Sequence, residues 1–202
     1  IQDICSVGRC AMAVTIPVLS ASGVQPIPMP TAVFSNHPWF PSIYFKELTE
    51  EMYRCMDCWD DANLTFDAIQ TGFLSSPTQV GIVREAVKRY GRPGMPIIVD
   101  PAMADHGSLY AVFTDTIIEA MKNLIAEATV ITPNYTEALM ITDQPYDTTP
   151  PTWEEMKLLC ARLSAMASTT ARYLFYGPNA RVSGLLISRS STSLVTIRSV
   201  TK

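Results

Sequence analysis

The run Pro96-Ile97-Ile98-Val99-Asp100-Pro101 constrains the fold more than any other stretch of the chain. Successive β-branched apolar residues suit a strand buried on both faces, the kind found in parallel sheets. The strand cannot run past Pro101, which lacks the N–H that the next ladder bond needs. Asp100 is thereby delivered to the carboxyl edge of a sheet, where open α/β folds place their ligands. Further on, Thr129-Val130-Ile131-Thr132-Pro133-Asn134 repeats the pattern and is followed by Glu137. Two adjacent strands are expected to aim acids and hydroxyls at one crevice.

The rest of the chain alternates around these strands. A helix is expected from Arg9 to Ser22, stopped by Gly23 just beyond its cap. Prolines at 26, 28 and 30 suit an extended edge segment over Val24 to Pro30 rather than a central strand. Leu48 to Ala62 reads as a helix and Phe66 to Phe73 as a strand ending in a glycine turn. Ser76-Pro77 opens a helix in the favoured order of cap then proline, with Val80, Val83 and Val87 on its apolar face. Further helices are expected at 114–127, 134–141 and 153–167, and closing strands at 173–176, 185–188 and 194–198. Such alternation implies an α/β fold, a mostly parallel sheet flanked by helices. At 202 residues one domain accommodates it.

Composition narrows the function classes. A net charge of −4 argues against a nucleic-acid partner, whose phosphates call for Lys and Arg. No stretch reaches the roughly 18–20 uninterrupted apolar residues of a membrane span. Five cysteines form no disulfide framework, so a reducing cytoplasm is expected. Cys55-Met56-Asp57-Cys58 lacks a second pair, so zinc is not expected there.

Asp100, Asp105 and Glu137 are the strongest chemical grouping. Carboxylates meeting at a strand edge suit a hydrated Mg²⁺, which takes one or two of them and fills its shell with water and phosphate oxygens. The same residues also suit turns and helix caps, Thr132 or Asn134 capping with Glu137 reaching back. His37 and His106, the only histidines, each lie in a loop past a strand end. No G-x-x-x-x-G-K-[ST] loop exists, so any nucleotide is held without one.

Taken together, several stretches resemble the pyridoxal/pyridoxamine kinases of the ribokinase-like superfamily. They are Ile1-Gln2-Asp3 with Gly8-Arg9-Cys10, Pro30-Thr31-Ala32-Val33-Phe34-Ser35-Asn36-His37, and Thr71-Gly72-Phe73. Val99-Asp100-Pro101 with Asp105-His106-Gly107 and Tyr110, and Ile131-Thr132-Pro133-Asn134 with Glu137-Ala138, complete the set. The resemblance implies a three-layer α/β sandwich and an ATP-dependent kinase acting on the 5′-hydroxymethyl of a vitamin B6 vitamer. It implies ATP and Mg²⁺ as cofactors, with a monovalent cation as a further candidate, and a homodimer as the assembly. Asp3, Phe34, Ser35, His37 and Phe73 would bind the vitamer. Asp100, Asp105, Tyr110, Thr132, Asn134 and Glu137 would lie along the nucleotide, Asp105 and Glu137 nearest the metal. Glu137→Ala is then expected to weaken MgATP use with little loss of fold.

The departures are specific. Pro38 and Trp39 stand where members usually have Thr, which removes one substrate hydroxyl contact. Members usually carry Thr or Ser where the strand here ends Phe175-Tyr176-Gly177. The family's G-T-G-D motif, source of its catalytic base and an amide-lined anion hole, has no counterpart in these residues. No residue is assigned as base. The expectation is a stretch of a normal kinase lacking that region and a few leading residues. The alternatives are a hydroxymethylpyrimidine kinase of the same fold and an inactive homologue that binds vitamer or nucleotide.

Overall fold

The computed structural model describes residues 1–38, 40–149, 151–166, 172–173 and 187–188. Along the chain, β1 (Gln2–Cys5) leads to α1 (Met12–Ala21), followed by β2 (Pro30–Phe34) and β3 (Phe45–Glu47). Next come α2 (Thr49–Asp61), β4 (Ile69–Thr71), α3 (Pro77–Tyr90) and β5 (Ile97–Val99). A small hairpin, β6 (Ala104–Asp105) and β7 (Ser108–Leu109), precedes α4 (Thr116–Ile125) and β8 (Val130–Ile131). Then follow α5 (Tyr135–Ile141), α6 (Trp153–Met166), β9 (Arg172–Tyr173) and β10 (Ile187–Ser188).

The strands pair in the orders β1-β2-β3 and β10-β9-β8-β5-β4, parallel except for β2 with β3 and β9 with β10. Backbone bonds join the two groups through β1 and β4. The Gly72 N–H donates to the Ile1 carbonyl at 3.0 Å, and the Ile1 nitrogen donates to the Gln70 carbonyl at 2.8 Å. Glycine suits this junction, because a Cβ at Gly72 would sit 2.5 Å from the Gln2 side chain. β4 therefore lies at the centre, between β1 and β5.

The core forms where the apolar faces of the helices meet the strands. Val80, Ile82 and Val83 of α3, and Ile117, Met121 and Leu124 of α4, are buried with Val99 and Ile131. Burying such a side chain contributes about 1.5–3 kcal/mol each. Several polar side chains share this interior, Gln79 and Thr31 among them. Gln79 of α3 accepts from the Ser75 N–H at 2.8 Å and donates to the Thr31 carbonyl at 2.8 Å and the Thr49 hydroxyl at 3.1 Å. The Thr31 hydroxyl in turn donates to the Phe73 carbonyl at 2.7 Å.

Most element expectations hold, with three corrections. α1 starts at Met12 rather than Arg9, because Ala11 adopts a left-handed φ of 52° that breaks the helical path. Its other end is as expected: Gly23 (φ 79°) and Val24 donate to the Ser20 and Leu19 carbonyls, the Schellman arrangement. The segment before Pro30 is not a strand. Pro30 instead opens β2, which lies between two neighbours, and proline is tolerated there only as the first residue. β3 and the β6–β7 hairpin were not foreseen. His106 (φ 49°) and Gly107 (φ 79°) turn that hairpin, both left-handed as a type I′ turn requires. Of the expected closing strands, 194–198 lies outside the described residues, as does the rest of 173–176 beyond Tyr173.

Candidate functional site

At the carboxyl ends of β4, β5 and β8 a cavity of about 400 Å³ is lined by Gln70, Asp100, Ala102, Tyr110, Thr132, Asn134 and Glu137. The ends of β5 and β8 thus meet in one crevice, as their proline-terminated sequences imply. Asp105 is the one expected nucleotide-side residue outside this lining. It stands on the exposed hairpin, where its carboxylate accepts the His106 N–H at 2.8 Å and lies 3.6 Å from the His106 ring.

Glu137 is the best-held member of the crevice. One carboxylate oxygen accepts the Asn134 N–H at 2.7 Å and the other accepts the Met103 N–H at 3.2 Å. The Asn134 side chain accepts the Glu137 N–H at 3.0 Å, so the capping arrangement is real, with Asn134 and not Thr132 as the cap. Asn134 also donates to the Ala104 carbonyl at 2.7 Å, and the Thr136 hydroxyl accepts the Gly107 N–H at 3.0 Å. The first turn of α5 therefore grips the hairpin that carries Asp105 and leads to Tyr110.

Burial sets the electrostatics of the crevice. It pushes the Glu137 carboxyl up to about 8, with the neighbouring Asp100 charge adding to the shift against the backbone N–H bonds. Asp100 itself is pushed up to about 6 by desolvation. The Tyr110 phenol, on a residue that is partly exposed, is raised by desolvation in the crevice and then by Glu137, Asp105 and Asp100, so it stays protonated. Two carboxyls that resist ionisation suit a divalent cation, which would favour their charged forms. Among the described residues no three His, Cys, Asp or Glu side chains form a ready metal cage.

A second, aromatic cluster lies at the ends of β1 and β2. Phe34 packs against Phe73 edge-on at 5.3 Å and against Phe45 at 4.8 Å, and Phe73 meets Phe113 at 5.5 Å. Asp3 is buried, and desolvation pushes its carboxyl up to about 6. The Cys5 and Cys10 sulfurs and the His37 Cβ all crowd the Gly8 turn. The His37 N–H donates to the Val7 carbonyl at 2.9 Å. Ser35 is fixed in its loop, its hydroxyl accepting the Tyr44 N–H at 2.8 Å and donating to Asn36 at 2.6 Å. The expected vitamer residues and nucleotide residues thus fall into two neighbouring groups. β4 and the turn after it serve both, with Gln70 in the crevice and Phe73 among the aromatics.

Sequence reading missed Gln70, Ala102, Phe45 and Phe113. Gln70 had only a faint signal, as a polar residue next to the Thr71-Gly72-Phe73 stretch. The two phenylalanines had none, since only the tertiary fold brings them to Phe34 and Phe73.

A model of the family described as phosphomethylpyrimidine kinase matches residues 54–172. A pyridoxine/pyridoxal/pyridoxamine kinase of Bordetella pertussis is 27% identical over 150 residues, which cover 70% of this chain and 52% of that protein. The chain spans from about a third to about half the length of the curated relatives it matches. A crystal structure from Bacteroides thetaiotaomicron, described provisionally as a phosphomethylpyrimidine kinase and in a form with pyridoxal, superposes with a TM-score of 0.80. It is 39% identical, and the match covers 86% of this chain and 60% of that one. A pyridoxal kinase from Lactobacillus plantarum shares the fold at a TM-score of 0.82 and 23% identity, covering 99% of this chain and 71% of that one.

Proposed function

The chain belongs to the phosphomethylpyrimidine kinase family of the ribokinase-like superfamily, and from that premise we propose that it is part of an ATP-dependent vitamin B6 kinase. In this reading the enzyme transfers the γ-phosphoryl of ATP to the 5′-hydroxymethyl of pyridoxal, pyridoxamine or pyridoxine. The observation that carries the choice is the pyridoxal-containing crystal form of the 39% identical Bacteroides protein. The kinase names of the curated relatives agree with it.

The two side-chain groups divide the work. Asp3, Phe34, Ser35, His37 and Phe73 are proposed to hold the pyridine ring. The phenylalanines supply apolar faces, and the Asp3 carboxyl, shifted to about 6, can exchange a proton with a polar ring substituent. Asp100, Tyr110, Thr132, Asn134 and Glu137 are proposed to face the nucleotide. Glu137 is the proposed metal carboxylate, and Asp105, outside the cavity lining, would serve the ion's water shell. When bound, Mg²⁺ supplies charge neutralisation for the transferring phosphoryl group. The residues themselves position the acceptor hydroxyl and exclude water, which is where such kinases gain most of their rate.

A homodimer is the proposed assembly. No Asp, Glu, Lys or Arg occurs from Cys10 to Phe45, and Val14, Val18, Val24 and Ile27 of that stretch are exposed. Among the described residues no helix is long and apolar enough to cross a membrane, and the cytoplasm is the proposed location.

The description of the matching family favours a second reading, a kinase of the hydroxymethyl group of a pyrimidine. An ATP-consumption assay with pyridoxal, pyridoxamine, pyridoxine and hydroxymethylpyrimidine as separate acceptors tests both. Turnover with a B6 vitamer supports the first reading, and turnover with the pyrimidine alone replaces it with the second. Vitamer and nucleotide binding without turnover would mark the chain as a binding module.

A further inference from the structure

The crevice presents a problem for an anionic ligand. Its ionisable lining consists of Asp100, Glu137 and Tyr110, and no Lys, Arg or His is among the described residues that line it. A polyphosphate there must be met by neutral donors as well as by a cation. Of the two carboxamides in the lining, Asn134 is engaged at both ends, donating to Ala104 and accepting from Glu137. The Gln70 carboxamide has no hydrogen-bond partner among the described residues, and it is only half-buried.

The position of Gln70 is as informative as its chemistry. Asp100 and Thr132 follow β5 and β8 on one side of β4, while the aromatic cluster occupies the ends of β1 and β2 on the other. A phosphoryl group passing from nucleotide to ring substituent must cross the end of β4. Gln70 lies on that strand, three residues before Phe73.

We propose that Gln70 donates its side-chain N–H to the terminal phosphoryl group of the bound nucleotide, as a specificity-determining residue that distinguishes ATP from ADP. The inference rests on the kinase reading above and assigns a role to a residue outside the family motifs by which the chain is recognised. An amide is suited to this place. It donates without carrying charge, so it neither repels the phosphoryl oxygens, as another carboxylate would, nor pairs with Asp100 and Glu137, as a lysine would. A hydrogen bond to a charged oxygen corresponds to roughly ten- to a hundredfold in affinity.

Calorimetric titration of the 202-residue chain with Mg²⁺ and either ADP or a non-hydrolysable imido analogue of ATP tests the assignment. Gln70→Leu should weaken the analogue about tenfold or more and leave ADP within about twofold of wild type. Gln70→Glu, nearly isosteric, should weaken the analogue further by adding an anion, and it carries the test if the leucine variant fails to fold. Unchanged analogue affinity in Gln70→Glu, or equal weakening of ADP and analogue, would overturn the assignment and leave the kinase reading standing. Failure of the wild-type chain to bind either nucleotide would overturn the nucleotide reading itself, and the role of Gln70 with it. A variant that loses pyridoxal binding alone would move Gln70 to the vitamer side, which also refutes the proposal.

Discussion

Asn134 and Glu137 cap each other: each side chain accepts the other's backbone N–H, at 2.7 and 3.0 Å. The second Glu137 oxygen accepts the Met103 N–H at 3.2 Å, so one buried carboxyl fixes both the start of α5 and the approach to the hairpin. Alanine at 137 would leave both N–H groups without their acceptor, at about 1–3 kcal/mol each when buried. Glu137→Ala is therefore expected to melt well below wild type, contrary to the expectation from sequence that the fold would be spared. Glu137→Gln keeps an acceptor and should lose less. Equal melting temperatures for the alanine variant and wild type would show that the carboxyl is dispensable to the fold.

Asp3 and Glu137, both buried, and Asp100, half-buried, give the ligand-free chain a defined response to pH. Folding raises Asp3 and Asp100 from 3.8 to about 6 and Glu137 from 4.5 to about 8. Groups raised in this way hold protons in the folded state that the unfolded chain has already released. Their contribution is complete below the unfolded values and is lost as pH climbs through the folded ones. Thermal melts should fall from about pH 4.5 to about pH 6, where the three carboxyls act together, and Glu137→Gln should make that fall shallower. A melting temperature that rises across this range would exclude the shifts.

The same carboxyl makes metal binding visible as a proton. With its ordinary value raised to about 8, Glu137 is largely protonated at neutral pH, whereas a cation binds the carboxylate. Titrating Mg²⁺ and ADP in buffers of different ionisation enthalpy should reveal net proton release at about pH 7, diminished in Glu137→Gln. Net proton uptake would rule Glu137 out as the metal carboxylate.

Gln79 should be as sensitive as an apolar core residue. Gln79→Leu fits the space but orphans the Ser75 N–H, at about 1–3 kcal/mol when buried, while the Thr31 carbonyl keeps the Leu48 N–H at 2.9 Å. For a chain of this size each kcal/mol lowers the melting temperature by roughly 2–4 °C. A leucine variant as stable as wild type would mean that water replaces the amide.

Gly107 combines a left-handed φ of 79° with a crowded surface, where an added Cβ would come within 2.5 Å of the Tyr146 ring. Gly107→Ala should weaken the hairpin, and adding Tyr146→Ala should relieve the clash but not the backbone strain, which is of order 1 kcal/mol. Full recovery in the double variant would assign the whole effect to the ring.

How far the molecule could be read from its sequence depended on whether the deciding interactions were local. β5, β8, α3 and the α5 cap each announce themselves within a few residues, through apolar runs, proline stops and cap chemistry. Phe45-Lys46-Glu47 carries no comparable pattern, and it becomes a strand because β2 is there to pair with it. The polar groups behave the same way. Glu137 was found because its cap partner is three residues away, whereas Gln79 reaches Thr31 across 48 residues and Gln70 gains meaning only from its place between two strand groups. Asp105 shows the converse, since Ala102 before it and Tyr110 after it enter the crevice lining but its hairpin position leaves it outside.

The grip of α5 on the β6–β7 hairpin has a kinetic consequence. Asn134, Thr136 and Glu137 hold Ala104, Gly107 and Met103 through three separate hydrogen bonds. A turn of this size at the surface would ordinarily open on its own, yet here it can open only when the first turn of α5 lets go. The Met103 and Gly107 amides should therefore exchange with deuterated solvent in step with the amides of α5, as one cooperative unit, and not at the rate of a free loop.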